Sequence, residues 1–204
     1  MDRSLDPRNT FAAVHQQVTA ELLHLMDGFY SNIEDGLFEL AFRDGDESKQ
    51  RHCFELMREM RFRRTNLVKT FAKRMERGVT DWFYQAPVAA DKASDTFVEQ
   101  ASAMAEKCQS HFYALLQSIA ERATHATGQS TDVANLPIGP ARIAHCFLIS
   151  CRSLKFDDDS IATVQELFGR FILDRLGSVY GQCNQRLERA GYATAKDLEI
   201  ASSA

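Results

Sequence analysis

From Phe11 onward the apolar residues Val14, Val18, Leu22, Leu25, Phe29, Ile33, Leu37 and Leu40 recur at steps of three or four. At 3.6 residues per turn this spacing places all of them on one side of a helix, and no strand would gather them on one face. The stripe predicts a single amphipathic helix reaching about Arg43, roughly 50 Å long at about 1.5 Å per residue. A helix with so long an apolar stripe needs a second element to cover it. Asp44-Gly45-Asp46 is a turn sequence, and an aspartate there also caps the helix that follows. The next stretch, Glu47 to Phe83, repeats the pattern with Cys53, Phe54, Met57, Met60, Leu67, Phe71, Met75, Val79 and Trp82. The first two helices are therefore expected to form an antiparallel hairpin, with Gly28 and Gly36 as mild weaknesses or points of close packing.

Pro87 and its small neighbours Ala86, Val88, Ala89 and Ala90 mark a linker, after which Ser94 or Asp95 caps a third helix. That helix carries Phe97, Ala101, Met104, Cys108, Phe112, Leu115, Ile119 and Ala123. Between Thr124 and Gly139 the Thr, Gly, Ser, Asp and Asn residues offer turn chemistry and no periodic face, so an internal loop is expected. Pro140 suits the first turn of a fourth helix, followed by Ile143, Cys146, Phe147, Ser150, Cys151 and Leu154. Asp157, Asp158, Asp159 and Ser160 open a last long helix from Ile161 through Leu167, Phe168, Leu176 and Tyr180 to Leu187, closed by Gly191. Thr194 starts one more short helix. The fold class is all-α: a bundle of about five long amphipathic helices in a single domain over 1–204. A subdivision would fall at the 84–93 linker, separating an 11–83 hairpin from a 94–192 three-helix part.

At 204 residues the chain is long enough to bury a sizeable core without staples. A net charge of -4 gives no global attraction to nucleic acid or an anionic membrane, so any polyanion site must be local. Met1 to Thr10 holds charged residues and no signal-peptide core, and no later run reaches membrane-spanning length. Cys53, Cys108, Cys146, Cys151 and Cys183 are odd in number and scattered, as expected of reduced thiols in the cytoplasm.

The densest chemical feature is Arg58 to Arg77, where Arg58, Arg61, Arg63, Arg64, Lys69, Lys73, Arg74 and Arg77 meet only Glu59 and Glu76. One reading is a solvated face answering Asp27, Glu34, Asp35 and Glu39 on the antiparallel first helix. The other is an anion site in which Arg58, Arg61, Arg63, Arg64 and Lys69 grip nucleic acid, a signalling nucleotide or an acidic partner, because guanidinium groups hold phosphate and carboxylate bidentately. The Asp157 to Asp159 triplet has no spaced partner for a hard cation, and a helix start accounts for it. Glu21 and His24 have the Glu-x-x-His spacing of di-metal bundles, but no second such pair accompanies them. His145, Cys146, Cys151 and Cys183 lack close metal-ligand spacing and read as core residues. With no phosphate loop, dinucleotide fingerprint, nucleophile elbow or zinc-protease motif, the chain is read as non-enzymatic, with no catalytic residue, cofactor or metal.

Two blocks carry a resemblance. Asp35-Gly36-Leu37-Phe38-Glu39-Leu40, continued by Phe54-Glu55-Leu56-Met57-Arg58-Glu59-Met60-Arg61, resembles the start of the bacterial family known as domain of unknown function 1631. Leu136-Pro137-Ile138-Gly139-Pro140, Leu167-Phe168-Gly169-Arg170-Phe171, Tyr180, Asn184 and Ala190-Gly191 are similar to a later segment of it. The resemblance spans most of residues 20 to 192 and implies a compact relative of longer proteins, with no catalytic residues to carry over. The expected role is a cytoplasmic regulatory or adaptor module that binds a protein partner, a second copy included, through apolar helix faces. The alternative is an anion-binding module using the Arg58 to Arg77 face.

Overall fold

Helix α1 runs unbroken over Pro7–Arg43 and α2 over Glu47–Arg77 in the computed structural model, which describes residues 6–43, 46–84, 95–152 and 158–202. The α1 stripe is buried as its period predicts: Phe11, Val14, Val18, Leu22, Phe29, Ile33 and Leu37 face inward, and Leu25 and Leu40 pack at its edge. Burying side chains of this size stabilises the fold by about 1.5–3 kcal/mol each, which is what holds so long a helix in place. Asp46 caps α2, its carboxylate accepting from the N–H of Ser48 at 2.8 Å. The expected turn residues Asp44 and Gly45 lie outside the described residues. Pairs between the two helices run in opposite senses, from His15 with Met75 through Asp27 with Arg64 to Phe42 with Phe54, so the hairpin is antiparallel.

Of the two glycines in α1, only Gly36 marks close packing. A Cβ there would come within 2.9 Å of Leu167 Cδ2, from a helix packed across α1, whereas one at Gly28 would meet open space. Gly36 therefore lets the two backbones approach.

Three expected helices are divided. Helix α2 stops at Arg77, short of the expected Phe83, and a 3-10 turn at Gly78–Thr80 leads into α3, Asp81–Tyr84. Gly78 sits under the His15 ring, where a Cβ would lie 3.2 Å from Cε1, and the tightened turn swings Trp82 back onto Phe11 with ring centroids 4.9 Å apart. The third helix breaks at Phe112 into α4, Asp95–His111, and α5, Tyr113–Thr127. The last long helix breaks at Ile172 into α7, Asp158–Phe171, and α8, Leu176–Arg189, joined by the 3-10 turn Leu173–Arg175. The two breaks abut. Phe112 lies on Gly177, where a Cβ would come within 2.7 Å of its ring, and the Cys108 thiol donates to the Leu173 carbonyl freed by the turn, at 3.2 Å. The breaks let α4 pack on α6 (Pro140–Cys151) while α5 packs on α8, giving each half its own partner.

Elsewhere the local signals hold. Pro140 is the first residue of α6. Gly191 takes a left-handed φ of 86° after α8, and the Tyr192 N–H closes back on the Leu187 carbonyl at 3.1 Å, the bond pattern of a glycine C-cap. Thr194 caps α9, Ala195–Ser202, through reciprocal bonds with Asp197. The Thr124 to Gly139 loop begins only after Thr127, and part of it is core: Leu136 and Ile138 are buried, and Tyr180 Oη donates to the Ile138 carbonyl at 3.2 Å. Tyr84, the first residue of the expected linker, ends α3, while Pro87 with linker residues 85–93, Ser94, Leu154 and Asp157 lie outside the described residues. Among those described there is no strand, and no helix is long and apolar enough to cross a membrane. One apolar core draws on α1, α2, α5, α6, α7 and α8.

Candidate functional site

The five basic residues that composition singles out on α2 do not act as one group. Arg61 is held by Glu34 of α1 in a bidentate pair, Nε to Oε1 at 2.7 Å and Nη2 to Oε2 at 2.5 Å. Arg64 bonds Asp27 of α1 and lies over the Tyr30 ring, 5.7 Å from its centroid. Arg63 pairs with Glu59 one turn back on its own helix at 3.2 Å. Glu39 reaches Arg170 of α7 at 3.1 Å rather than any residue of α2. Arg58 and Lys69 remain exposed, with no carboxylate partner among the described residues. Beyond Lys69 a shallow depression of about 320 Å³ is lined by Lys69, Thr70, Lys73, Arg74 and Arg77. Carboxylate pairing thus accounts for Arg61, Arg63 and Arg64 in the middle of the basic run, while Arg58, Lys69, Lys73 and Arg77 face solvent.

Behind the C-terminal end of α2 lies a buried polar centre that the spacing of residues does not reveal. The Met75 carbonyl can only accept, so His15 Nε2, 2.6 Å away, carries the proton and donates it. The Trp82 indole N–H then donates to His15 Nδ1 at 3.3 Å, which identifies the neutral ring. Arg142 of α6 reaches Asp81 Oδ2 at 3.0 Å with both side chains nearly enclosed. Burial, followed by the Arg142 charge, pushes the His15 pKa below its ordinary value, and His145 beside Arg142 and Arg74 is lowered the same way. Both rings stay neutral in the folded chain where the unfolded chain takes up protons. Stability is therefore expected to be level above about pH 6.5 and to fall below it, by up to about 1.4 kcal/mol per pH unit for each ring. Urea unfolding between about pH 7.5 and pH 5.5 checks this, and in His15→Gln the slope should be shallower.

The remaining titratable candidates carry no nucleophile or metal arrangement. All five cysteines are free and buried, and burial pushes Cys146 up to about 11 and Cys108, Cys151 and Cys183 to about 12. Such thiols stay protonated and behave as small apolar side chains. Glu21 is half-buried and His24 exposed, with no further ligand gathered near them, and no group of three or more metal-ligating side chains occurs among the described residues. Asp158 and Asp159 are the first two residues of α7.

At the turn end of the hairpin the surface changes character. Phe38 and Phe42, one turn apart on α1, lie with centroids 4.5 Å apart and planes tilted by 42° and are 53% and 51% exposed, and Phe54 of α2 meets Phe42 edge-on at 6.4 Å with 45% exposure. The apolar period of α2 places Phe54 with the core, so its outward position is a correction. Leu56 takes the inward position instead, because α1 lies on the Cys53, Leu56 and Met60 side of the helix. A signal was present: Phe38, Phe42 and Phe62 all fall off the stripes, on faces otherwise polar. Asp35, Glu55 and Arg51 stand exposed near this aromatic tip. Against the same end of the hairpin a polar cleft of about 630 Å³ opens toward α7, lined by residues that include Arg43, Asp46, His52, Asp159 and Glu166.

A family model described as a protein of unknown function (DUF1631), N-terminal domain, matches residues 6–191. No curated protein and no solved structure matches the chain. Several residues of the blocks that carry the resemblance pack the fold, namely Gly36 against Leu167, Phe168 on Phe147, Tyr180 on Ile138, and Asn184 donating to the Leu115 carbonyl at 2.9 Å, while Phe38 and Phe54 of the same blocks face water.

Proposed function

The chain belongs to the DUF1631 family, and on this premise we propose that it is a non-enzymatic regulatory or adaptor module of the cytoplasm. It acts by protein–protein contact through the aromatic tip of the α1–α2 hairpin and associates with a second copy of itself there. The observation that carries the reading is the contiguous exposure of Phe38, Phe42 and Phe54. Three neighbouring phenylalanines left in water beside the buried core support this reading, since folding alone gains nothing from holding them there. Their rim carries both signs, Asp35 and Glu55 against Arg51, which suits a face that meets its own copy. Reduced, buried thiols fit the compartment.

Size-exclusion chromatography with light scattering at low and high salt tests the reading. The expected result is a dimer that survives high salt and becomes a monomer in Phe42→Ser/Phe54→Ser while thermal stability stays within about 1 kcal/mol of the parent. A monomer at every concentration, or a dimer that the double substitution leaves intact, overturns it.

A further inference from the structure

Phe62 stands at the middle of α2 with 82% of its surface exposed, more than any other large apolar side chain of the described residues. At helical spacing its neighbours on that face are Arg58 one turn before, Thr65 and Asn66 one turn after, then Lys69, Lys73 and Arg77. Arg58, Lys69, Lys73 and Arg77 are all exposed and meet no carboxylate among the described residues, in contrast to Arg61, Arg63 and Arg64. The last three members of the row border the shallow depression completed by Thr70 and Arg74. From Lys69 the face therefore presents about one cation per 6 Å of helix, a rise that an extended sugar–phosphate backbone can follow. Glu55 and Glu76 also stand on it, one toward each end, and Glu59, one turn before Phe62, is engaged by Arg63.

We propose that this outer face of α2 binds single-stranded nucleic acid, with a base stacked on Phe62 and phosphates held by Arg58, Lys69, Lys73 and Arg77. An exposed ring set between unpaired cations is the arrangement by which single strands are gripped without sequence readout. Thr65 and Asn66 beside the ring can donate to and accept from a base edge. A duplex keeps its base faces stacked inside and offers Phe62 nothing. A membrane surface calls for a continuous apolar face, whereas this one holds a single ring flanked by hydroxyl and amide groups. The site is separate from the aromatic tip: Phe62 is two turns beyond Phe54 and touches none of the three tip rings.

The test is fluorescence polarisation of the full chain with labelled oligothymidylate, a matched duplex and phosphatidylserine vesicles, over a salt series. Oligothymidylate is expected to bind more tightly than duplex, with log affinity falling against log salt at a slope near -3, about 0.7 for each of four phosphates. Phe62→Ala should weaken oligothymidylate binding about tenfold and leave duplex binding unchanged. Lys69→Glu/Lys73→Glu should weaken both about tenfold or more. Equal affinity for strand and duplex, indifference to Phe62→Ala, binding to vesicles alone, or no binding at low salt each overturns the proposal. Both sets of substitutions lie on exposed positions, and Phe42→Ser/Phe54→Ser should leave nucleic-acid binding intact, which keeps this test separate from that of the tip.

Discussion

Phe168→Ala is expected to cost about 3–5 kcal/mol of stability. Phe168 is wholly buried where α1, α6 and α7 meet, and its ring lies nearly parallel to Phe147 with centroids 3.8 Å apart. Phe29 of α1 closes the group edge-on, 6.2 Å from Phe168 and 6.0 Å from Phe147. Removing the ring leaves a cavity walled by two other rigid rings on separate helices, and rigid walls collapse poorly, so both the transfer and the cavity contributions are lost. For a chain of this size the midpoint of thermal unfolding should fall by about 10 °C, at about 2–4 °C per kcal/mol. Circular dichroism on heating measures it, with Phe62→Ala as the control because a ring in water should change stability by no more than about 0.5 kcal/mol. A drop below about 1 kcal/mol for Phe168→Ala would mean that the three-helix junction is not where the core is anchored.

Asp81→Ala is expected to cost about 3–5 kcal/mol, although it removes only a small side chain. Asp81 and Arg142 are both nearly enclosed, and truncating the carboxylate takes the counter-charge at 3.0 Å away from a guanidinium held in low dielectric. The same position supports the His15 and Trp82 bonds through the α3 turn, so the packing of Trp82 on Phe11 is disturbed as well. The double variant Asp81→Ala/Arg142→Leu separates the charge effect from the packing effect. It removes the cation as well and should recover most of the loss, because replacing a buried ion pair with apolar groups is often close to neutral. Urea unfolding of the single and double variants measures the difference. Equal losses in both would show that packing around Trp82, and not the lost counter-charge, decides the outcome.

The hairpin was legible because its signals are local and redundant. The period of apolar residues, the Asp46 cap, Pro140 at a helix start and Gly191 at a helix end each act within one or two turns of the chain, and each is found where expected. The breaks at Phe112 and Ile172 were not legible, since both halves of each divided helix bury the same face and the apolar period runs across the break unchanged. What bends them is a contact distant in sequence, Phe112 seated on Gly177.

The candidate surfaces divide in the same way. Charge patterning foresaw that acidic α1 would answer basic α2, and Glu34 with Arg61 and Asp27 with Arg64 do so. Which cations would be left over could not be read from composition, because Arg63 finds Glu59 on its own helix and Glu39 turns to Arg170. Nor could the period of α2 show that Phe54 faces out, since that depends on the rotation at which the helix settles against α1.

The sequence by itself determined that this chain is all-helical, that its first two helices form a hairpin and that its thiols are buried, because each rests on local spacing, and that it belongs with DUF1631, because motif blocks along most of its length match. Only the tertiary structure decided where helices bend, which cations remain unpaired, which phenylalanines face water, and that His15, Trp82, Asp81 and Arg142 meet at one point. The reason is physical: a segment's own pattern sets its preferred conformation and its apolar face. Rotation, register and partner choice are settled by side chains dozens of residues away competing for the same buried space.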